Sequence, residues 1–413
     1  MRPFTYRSLV ILTAIALAPP PLTGQGYGRV VAVSDADVLI GQSANVITPG
    51  EVYVYRKASG GWVEAARLRA PDATPSDGFG SALDAHLGTM LIGASGGRGG
   101  TGSVHVFERS PSGSWEASGR LTATGVSPDS RFGTTVAIRG DIAVVGAPGP
   151  SGGRRNPQPT GPGAAYVFQR DDGVWTERAK LTSAGTPDGF GNSVAIQDDQ
   201  ILVGAPFDNQ SGTVYAFGLS TGQWERTGTL STPNLRTNDG FGASVRIDGD
   251  RALVSAPGRS GGEGAVFTFN FDSGESQWAP TGRLLPFDGF QQDGFGSSMA
   301  FASRGVWVGS PGMSLHRGAT YLFEENSEGG WSGATKIGMS NLQASDAFGS
   351  AIAVEDEVAV IGVAGVDFGS GTAAIFERNG DTWEVANVVM GEVEGFDAVS
   401  GGQVDCTGGV ASA

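Results

Sequence analysis

The sequence has few of the residues that usually carry cross-links or acid–base chemistry. Its 413 residues include one cysteine, Cys406, so no disulfide can form within the chain. Only three histidines occur, His86, His105 and His316, and none has a metal-ligand spacing or a neighbouring nucleophile. Because general acid–base catalysis usually relies on histidine or on tuned carboxylates, we expect a protein that is not an enzyme.

Basic residues and long apolar runs are also scarce. Lysine and arginine total 27 against 42 acidic residues, giving a net charge of −15, and such a surface repels nucleic-acid phosphates. The apolar run Leu9–Ala18 follows Arg2 and Arg7, and at about ten residues it is too short to span a bilayer of roughly 30 Å. This pattern predicts a signal peptide over residues 1–24. We therefore expect a secreted protein, extracellular or periplasmic, that is monomeric and not inserted in a membrane.

Glycine, in contrast, is abundant, and it marks an internal repeat. The 68 glycines show no three-residue period, which excludes collagen and indicates frequent turns. An aromatic-glycine pair recurs seven times at spacings of 52, 53, 58, 51, 54 and 53 residues. The seven pairs are Tyr27-Gly28, Phe79-Gly80, Phe132-Gly133, Phe190-Gly191, Phe241-Gly242, Phe295-Gly296 and Phe348-Gly349.

Each copy contains four short apolar runs separated by turn residues. In the copy from Asp188 to Leu230, the second run ends Gly204-Ala205-Pro206, the third ends on Phe217 and the fourth opens on Trp224. The tryptophans that open the fourth run are Trp62, Trp115, Trp175, Trp224, Trp278, Trp331 and Trp383, and only Trp307 lies outside this register. Four strands in about 50 residues, repeated seven times, predict an all-β fold, a seven-bladed β-propeller of four-stranded antiparallel blades over residues 25–389.

Residue parity predicts which side chains share a face of the blade. Phe190, Val194 and Ile196 fall on one face of the first strand, and Tyr215 and Phe217 share a face of the third. Trp224 and Leu230 are six residues apart in the fourth strand, so they are also predicted to share a face.

These motifs resemble the FG-GAP repeat of integrin-alpha-type β-propellers, and most closely the bacterial secreted variety. The resemblance covers residues 27–389 and rests on Phe-Gly, Gly-Ala-Pro and a strand such as Gly212-Thr213-Val214-Tyr215-Ala216-Phe217. It implies a role in adhesion or ligand capture. It also suggests calcium, but connections such as Gln197-Asp198-Asp199-Gln200 are too short to supply six to eight oxygen ligands. We therefore expect no integrin-like calcium site and no cofactor.

An aspartate precedes most of the Phe-Gly pairs, and two interpretations remain open for it. The side chain can accept a hydrogen bond from its own backbone in an Asx turn. Alternatively, the carboxylates ring one mouth of the central channel and bind a cation or a basic ligand, with Asp188, Asp239 and Asp293 as candidate ligand-binding residues. The full set is Asp77, Asp129, Asp188, Asp239, Asp293 and Asp346.

The loop from Gly149 to Pro162 is the one feature that does not repeat. It contains Arg154, Arg155 and Asn156, which are further candidate ligand-binding residues. In an antiparallel four-stranded blade, loops between the second and third strands lie at the same end as the blade-to-blade connections. Binding residues are common on such loops, although a neutral insertion explains the length equally well.

Three functions are compatible with these patterns. The first is an exported, non-catalytic binding or adhesion module that contacts an extracellular or cell-surface protein or glycan through one propeller face. The alternatives are an enzyme with aspartates at the channel mouth and an architectural segment that presents a downstream module. Residues 390–413, which contain Cys406, are predicted to be a partial eighth repeat that acts either as a closing strand or as the start of a further module.

Overall fold

The chain folds as seven four-stranded antiparallel sheets around a central channel, which confirms the predicted seven-bladed propeller. The computed structural model describes residues 26–43, 48–96, 100–152, 158–183, 187–326, 330–331, 333–365 and 371–391. The predicted signal peptide and the tail from residue 392, with Cys406, lie outside these ranges.

Each blade uses four consecutive strands, with the first at the channel and the fourth on the outside. The strands are β1 (Tyr27–Ser34), β2 (Asp37–Gln42), β3 (Glu51–Ala58), β4 (Gly61–Leu68), β5 (Phe79–His86), β6 (Thr89–Ala94), β7 (Ser103–Arg109), β8 (Trp115–Leu121), β9 (Thr135–Arg139), β10 (Ile142–Ala147), β11 (Ala164–Asp171), β12 (Val174–Leu181), β13 (Ser193–Gln197), β14 (Gln200–Ala205), β15 (Thr213–Ser220), β16 (Gln223–Leu230), β17 (Val245–Asp248), β18 (Arg251–Ala256), β19 (Ala265–Asp272), β20 (Gln277–Leu284), β21 (Ser298–Ala302), β22 (Gly305–Ser310), β23 (Ala319–Glu324), β24 (Thr335–Ile337), β25 (Phe348–Glu355), β26 (Val358–Val363), β27 (Thr372–Asn379) and β28 (Thr382–Met390).

Within the described ranges, helical structure is confined to short turns between second and third strands. These are a 3-10 turn at Asp208–Gln210 and two four-residue turns, α1 (Arg259–Gly262) and α2 (Met313–His316). No helix in the described part of the chain is long and apolar enough to cross a membrane.

Among the residues that the structure describes, the first blade packs against the seventh without a shared strand. The Trp62 indole N–H donates to Glu377 Oε1 (2.7 Å), and Lys57 pairs with the other oxygen of the same carboxylate (2.7 Å). One buried cluster joins Tyr27 and Tyr53 of the first blade to Val360 and Ile375 of the seventh. The first and last blades thus complete the ring with their own four strands each.

Aromatic side chains form the centre of each blade. Phe190 lies edge-on to Tyr215 (5.3 Å between ring centroids) and to Phe217 (6.1 Å). Val194 and Ile196 belong to the same buried cluster, whereas Ala195 packs into the cluster of the next blade. The predicted faces of the first and third strands are therefore confirmed.

The predicted face of the fourth strand is wrong, because a β-bulge interrupts it. Phe217 pairs with Arg226 but Ala216 pairs with Gly228, so Thr227 is an extra residue. The bulge reverses the alternation of side chains. Trp224 consequently packs against its own blade's cluster, while Leu230 enters the cluster of the next blade. Register shifts at the equivalent position occur in five other blades.

The sixth blade differs from the others at its outer edge. Its fourth strand β24 has three residues, and Trp331 lies before it in an isolated bridge to Glu325. The tryptophan therefore does not open the fourth strand in this blade. The shortened edge leaves a groove of about 380 Å³ that is lined in part by Ile337 and Trp383.

Every inner hairpin turns within two residues. Gln197 pairs with Gln200 across Asp198-Asp199, and the other six blades have the same geometry. Positive φ values at the first turn residue, such as 49° at Asp198, are typical of tight primed turns. These turns leave no room to wrap a calcium ion from a single connection.

Candidate functional site

The predicted aspartates lie on one face of the propeller, which we call the turn face. It comprises the blade-to-blade connections and the loops between second and third strands. Backbone hydrogen bonds join the two kinds of loop: the N–H of Phe207 donates to the carbonyl of Asp188 (3.1 Å), and that of Gly312 to the carbonyl of Asp293 (2.9 Å). This geometry matches the expectation that both kinds of loop share one end of the blade.

The side chains of Asp188, Asp239 and Asp293 are buried and bonded to the backbone. Their residues are 2%, 3% and 5% exposed. Asp188 Oδ1 accepts from the N–H of Phe190 (2.9 Å), the Asx-turn bond, and its Oδ2 accepts from the Ser183 hydroxyl. Asp239 and Asp293 each accept from the N–H three residues earlier (2.9 and 2.7 Å). These hydrogen bonds agree with the interpretation of the aspartates as turn residues. Carboxylates that are buried and hydrogen-bonded present little charge to a ligand.

Asp293 also lines a cavity on the turn face. The cavity has a volume of about 520 Å³ and spans the sixth, seventh and first blades. Arg29 and His316 line it together with Asp293. Asp188 and Asp239 lie in neighbouring blades outside this cavity, so the structure does not bring the three carboxylates together.

The non-repeating loop of the third blade also begins on the turn face. The N–H of Gly149 donates to the carbonyl of Ser130 (3.1 Å), and Ser151 bridges to Pro159 at the base of the loop. Arg154, Arg155 and Asn156 lie outside the described residues.

Large apolar side chains protrude from the turn face between the fifth and seventh blades. Phe287 and Phe290, in the connection that leads to Asp293, are 66% and 74% exposed, and Leu315 of α2 is 78% exposed. Leu315 also has a left-handed backbone (φ 64°), where the equivalent residue of the fifth blade is Gly261. A leucine in this conformation is strained by about 1–2 kcal/mol, and its exposure means that burial does not offset the strain.

The central channel contains a second polar feature, formed by Asp84 and Arg246. Asp84 in β5 and Arg246 in β17 lie in the second and fifth blades, on nearly opposite sides of the ring. Asp84 Oδ2 accepts from the N–H of Ile138 (2.8 Å), and His86 Nδ1 accepts from the N–H of Gly140 (2.9 Å). Both side chains thereby cover the open inner edge of the third blade.

Desolvation inside the channel controls the ionisation of this pair. Desolvation raises the pKa of Asp84 to about 6, against the opposing effects of the Ile138 N–H and the Arg246 charge. Desolvation also lowers the pKa of Arg246, and the Asp84 carboxylate counters that shift. A guanidinium remains cationic in proteins because its ordinary pKa exceeds about 12. A carboxyl group that titrates near neutrality inside a cavity is a candidate for acid–base or pH-dependent chemistry.

Clustered metal ligands do not appear in the described ranges: no three histidine, cysteine, aspartate or glutamate side chains there are placed to hold a metal ion. The absence of a calcium site and of a cofactor remains a prediction.

The repeat itself identifies the family. A family model of the FG-GAP repeat matches residues 62–107, 115–168, 175–217 and 224–269. Each matched stretch runs from a fourth-strand tryptophan to an aromatic within the third strand of the next blade, two or three residues before that strand ends. The chain is an FG-GAP repeat β-propeller.

Solved structures share the fold of this FG-GAP propeller at low sequence identity. A Lactobacillus plantarum protein is 13% identical with a TM-score of 0.52, covering 86% of this chain and 96% of its own. Two proteins provisionally named 6-phosphogluconolactonase are similar. The one from Bacteroides uniformis is 15% identical with a TM-score of 0.54, covering 85% and 94% of the two chains. The one from Bacteroides fragilis is 13% identical with a TM-score of 0.51, covering 75% and 83%. No curated protein matches the sequence.

Sequence reasoning missed Asp84 and Arg246, although comparing the FG-GAP copies reveals them. Five residues after the Phe or Tyr of the aromatic-glycine pair, five blades have alanine and the second and fifth have these two charged residues. The alanines are Ala32, Ala137, Ala195, Ala300 and Ala353. Departure from the repeat, more than the repeat itself, is therefore the signal for this site.

Proposed function

We propose that this FG-GAP propeller is an exported, non-catalytic binding module that captures an extracellular or cell-surface partner through its turn face. The observation that carries the proposal is the exposure of Phe290 and Leu315 on that face. Aromatic side chains are enriched at protein interfaces, and the buried core of an interface is more apolar than the rest of the surface. A protein partner fits them better than a glycan, and recognition of a glycan is the alternative outcome.

The strain at Leu315 supports the same assignment. A glycine at this position, as in the fifth blade, would remove the strain without loss of buried contact. Residues held in unfavourable backbone conformations concentrate at functional sites, where stability is given up for binding. Export is supported by the charged and apolar segments of residues 1–18.

Replacement of Phe290 by serine, or of Leu315 by glycine, should weaken partner capture at least about tenfold. Leu315→Gly should at the same time keep or raise the melting temperature, because it removes the left-handed leucine. The measurement is capture from a native surface extract on immobilised protein, quantified by mass spectrometry and repeated with the purified partner. A glycan array run in parallel reports the alternative partner class.

Val174→Ser is the matched control, since Val174 lies in outer strand β12 and is 62% exposed. It should capture as much partner as the unmodified protein. Equal capture by Phe290→Ser, Leu315→Gly and the control would contradict binding through these side chains.

A second candidate function, an enzyme of the channel, is favoured by the raised pKa of Asp84. If it is correct, hydrolase and lyase panels should show turnover that Asp84→Asn abolishes. Asp188→Asn serves as the control, because the Asp188 carboxylate is fixed in a turn outside the channel, and it should retain turnover. Absence of turnover in the unmodified protein across the panels would remove this candidate.

A further inference from the structure

Arg246 has donors left unused inside the central channel. One guanidinium nitrogen, Nη1, donates to the Val245 carbonyl (2.9 Å). A guanidinium has five N–H donors, and among the described residues no carboxylate forms a salt bridge with this one. The Arg246 side chain is exposed to the channel lumen. The ring of seven inner strands surrounds that lumen.

The channel around Arg246 has the size and lining of a small-molecule site. One half has a volume of about 310 Å³ and the other about 240 Å³, and Arg246 lines both. Ligand cavities usually measure about 300–1,000 Å³. Leu83 is half-buried, lines both halves and offers limited apolar contact, while Thr134 and Asn192 add polar groups in the second half.

We propose that the central channel binds a small organic carboxylate, held by the guanidinium of Arg246. Arginine binds a carboxylate through two parallel N–H···O bonds, which the planar shape of both groups favours. Leu83, Thr134 and Asn192 then contact the organic part of the ligand. This site is separate from the turn face, so it can be correct or wrong independently of the proposed partner capture.

Asp84 makes this binding depend on pH. Its carboxylate lines the same lumen as Arg246, so in the ionised form it repels an incoming anion and interacts electrostatically with the guanidinium. Protonation near pH 6 removes that charge, and affinity should rise as pH falls from 8 to 5. His86, Arg139, Asp248 and Arg29 also line the channel, and protonation of His86 acts in the same direction. Asp84→Asn separates the two effects, because it should bind at pH 8 about as tightly as the unmodified protein binds at pH 5.

Isothermal titration calorimetry with acetate, malonate and gluconate at constant ionic strength tests the proposal. At least one of them should bind the unmodified protein saturably with one site, and Arg246→Gln should weaken that binding at least about tenfold. Arg283→Gln, which alters an exposed arginine of outer strand β20, should bind normally. Arg246→Lys keeps the charge but not the paired donors, and it should bind several-fold more weakly even if the glutamine variant fails to fold.

Three results would overturn the assignment. The first is equal binding by Arg246→Gln or Arg246→Lys and the unmodified protein. The second is no saturable binding of any of the three carboxylates at pH 5 or pH 8. The third is equal or tighter binding of sulfate, which would indicate a general oxyanion site and not a carboxylate site.

Discussion

Trp307→Ala is expected to lower the free energy of unfolding by about 3–5 kcal/mol, a large fraction of the stability of an ordinary domain. Trp307 is completely buried in β22 and lies edge-on to Trp383 (5.1 Å between ring centroids) in the seventh blade. It also contacts Phe376 of that blade (6.4 Å between ring centroids). Alanine would leave a cavity where the sixth and seventh blades meet, and urea denaturation monitored by circular dichroism measures the loss.

Trp307→Leu is the matched control, because leucine occupies the equivalent position in four blades. These residues are Leu39, Leu91, Leu202 and Leu253. The leucine variant should lose less, about 1–3 kcal/mol, because it fills part of the cavity and removes an indole N–H that has no hydrogen-bond partner in the described structure. A loss below about 1 kcal/mol for the alanine variant would mean that the two blades close over the cavity and that Trp307 does not hold them together.

The fold was predictable from the sequence because each copy of the repeat supplies the same evidence. Phe190 and Gly191, with their six counterparts, locate the inner strands, and the aromatic residues of the third strands locate the core. The prediction of which side chains share a face of the fourth strand was wrong, because residue parity assumes that every residue of the strand pairs with its neighbour. Thr227 does not pair, and the bulge sends Trp224 and Leu230 to different blade interfaces.

The sites were harder to predict, because each depends on distances between blades. Asp188 is buried and accepts the Asx-turn hydrogen bond that its sequence position allows, while its role as a ligand-binding residue stays a prediction. Asp84 and Arg246 are 162 positions apart in the sequence and line the same lumen only after the ring has closed. The exposure of Leu315 depends on the path of a loop that no periodic pattern specifies.

We expect the glycine of Gly-Ala-Pro to be as important for the stability of the ring as the aromatic core is. The Phe-Gly glycines need positive φ, which ranges from 75° at Gly28 to 92° at Gly296, but Gly204 has no such requirement. A Cβ on Gly204 would instead overlap the carbonyl oxygen of Gly242 in the next blade and the hydroxyl of Ser193. The overlap with a carbonyl oxygen of the next blade would also arise at five equivalent glycines, so the lack of a side chain is what lets neighbouring blades approach this closely. The five are Gly41, Gly93, Gly146, Gly309 and Gly362.

Gly204→Ala should therefore lower the free energy of unfolding by about 1–3 kcal/mol or more, because the backbone of one blade must move away from the next. The Ser193 hydroxyl donates to the same Gly242 carbonyl (2.8 Å), so a shift that relieves the overlap also weakens this bond between the blades.

Gly228→Ala is the control: Gly228 lies in outer strand β16, and a Cβ added there would meet no atom within 4 Å. It should leave stability unchanged or raise it slightly, since alanine reduces the entropy of the unfolded chain. The fifth blade has Ser255 at this position, so a side chain can be accommodated where the spacing allows. Equal stability of Gly204→Ala and Gly228→Ala would show that the fourth and fifth blades can also move apart to accommodate a side chain. Their close approach would then not be required for stability.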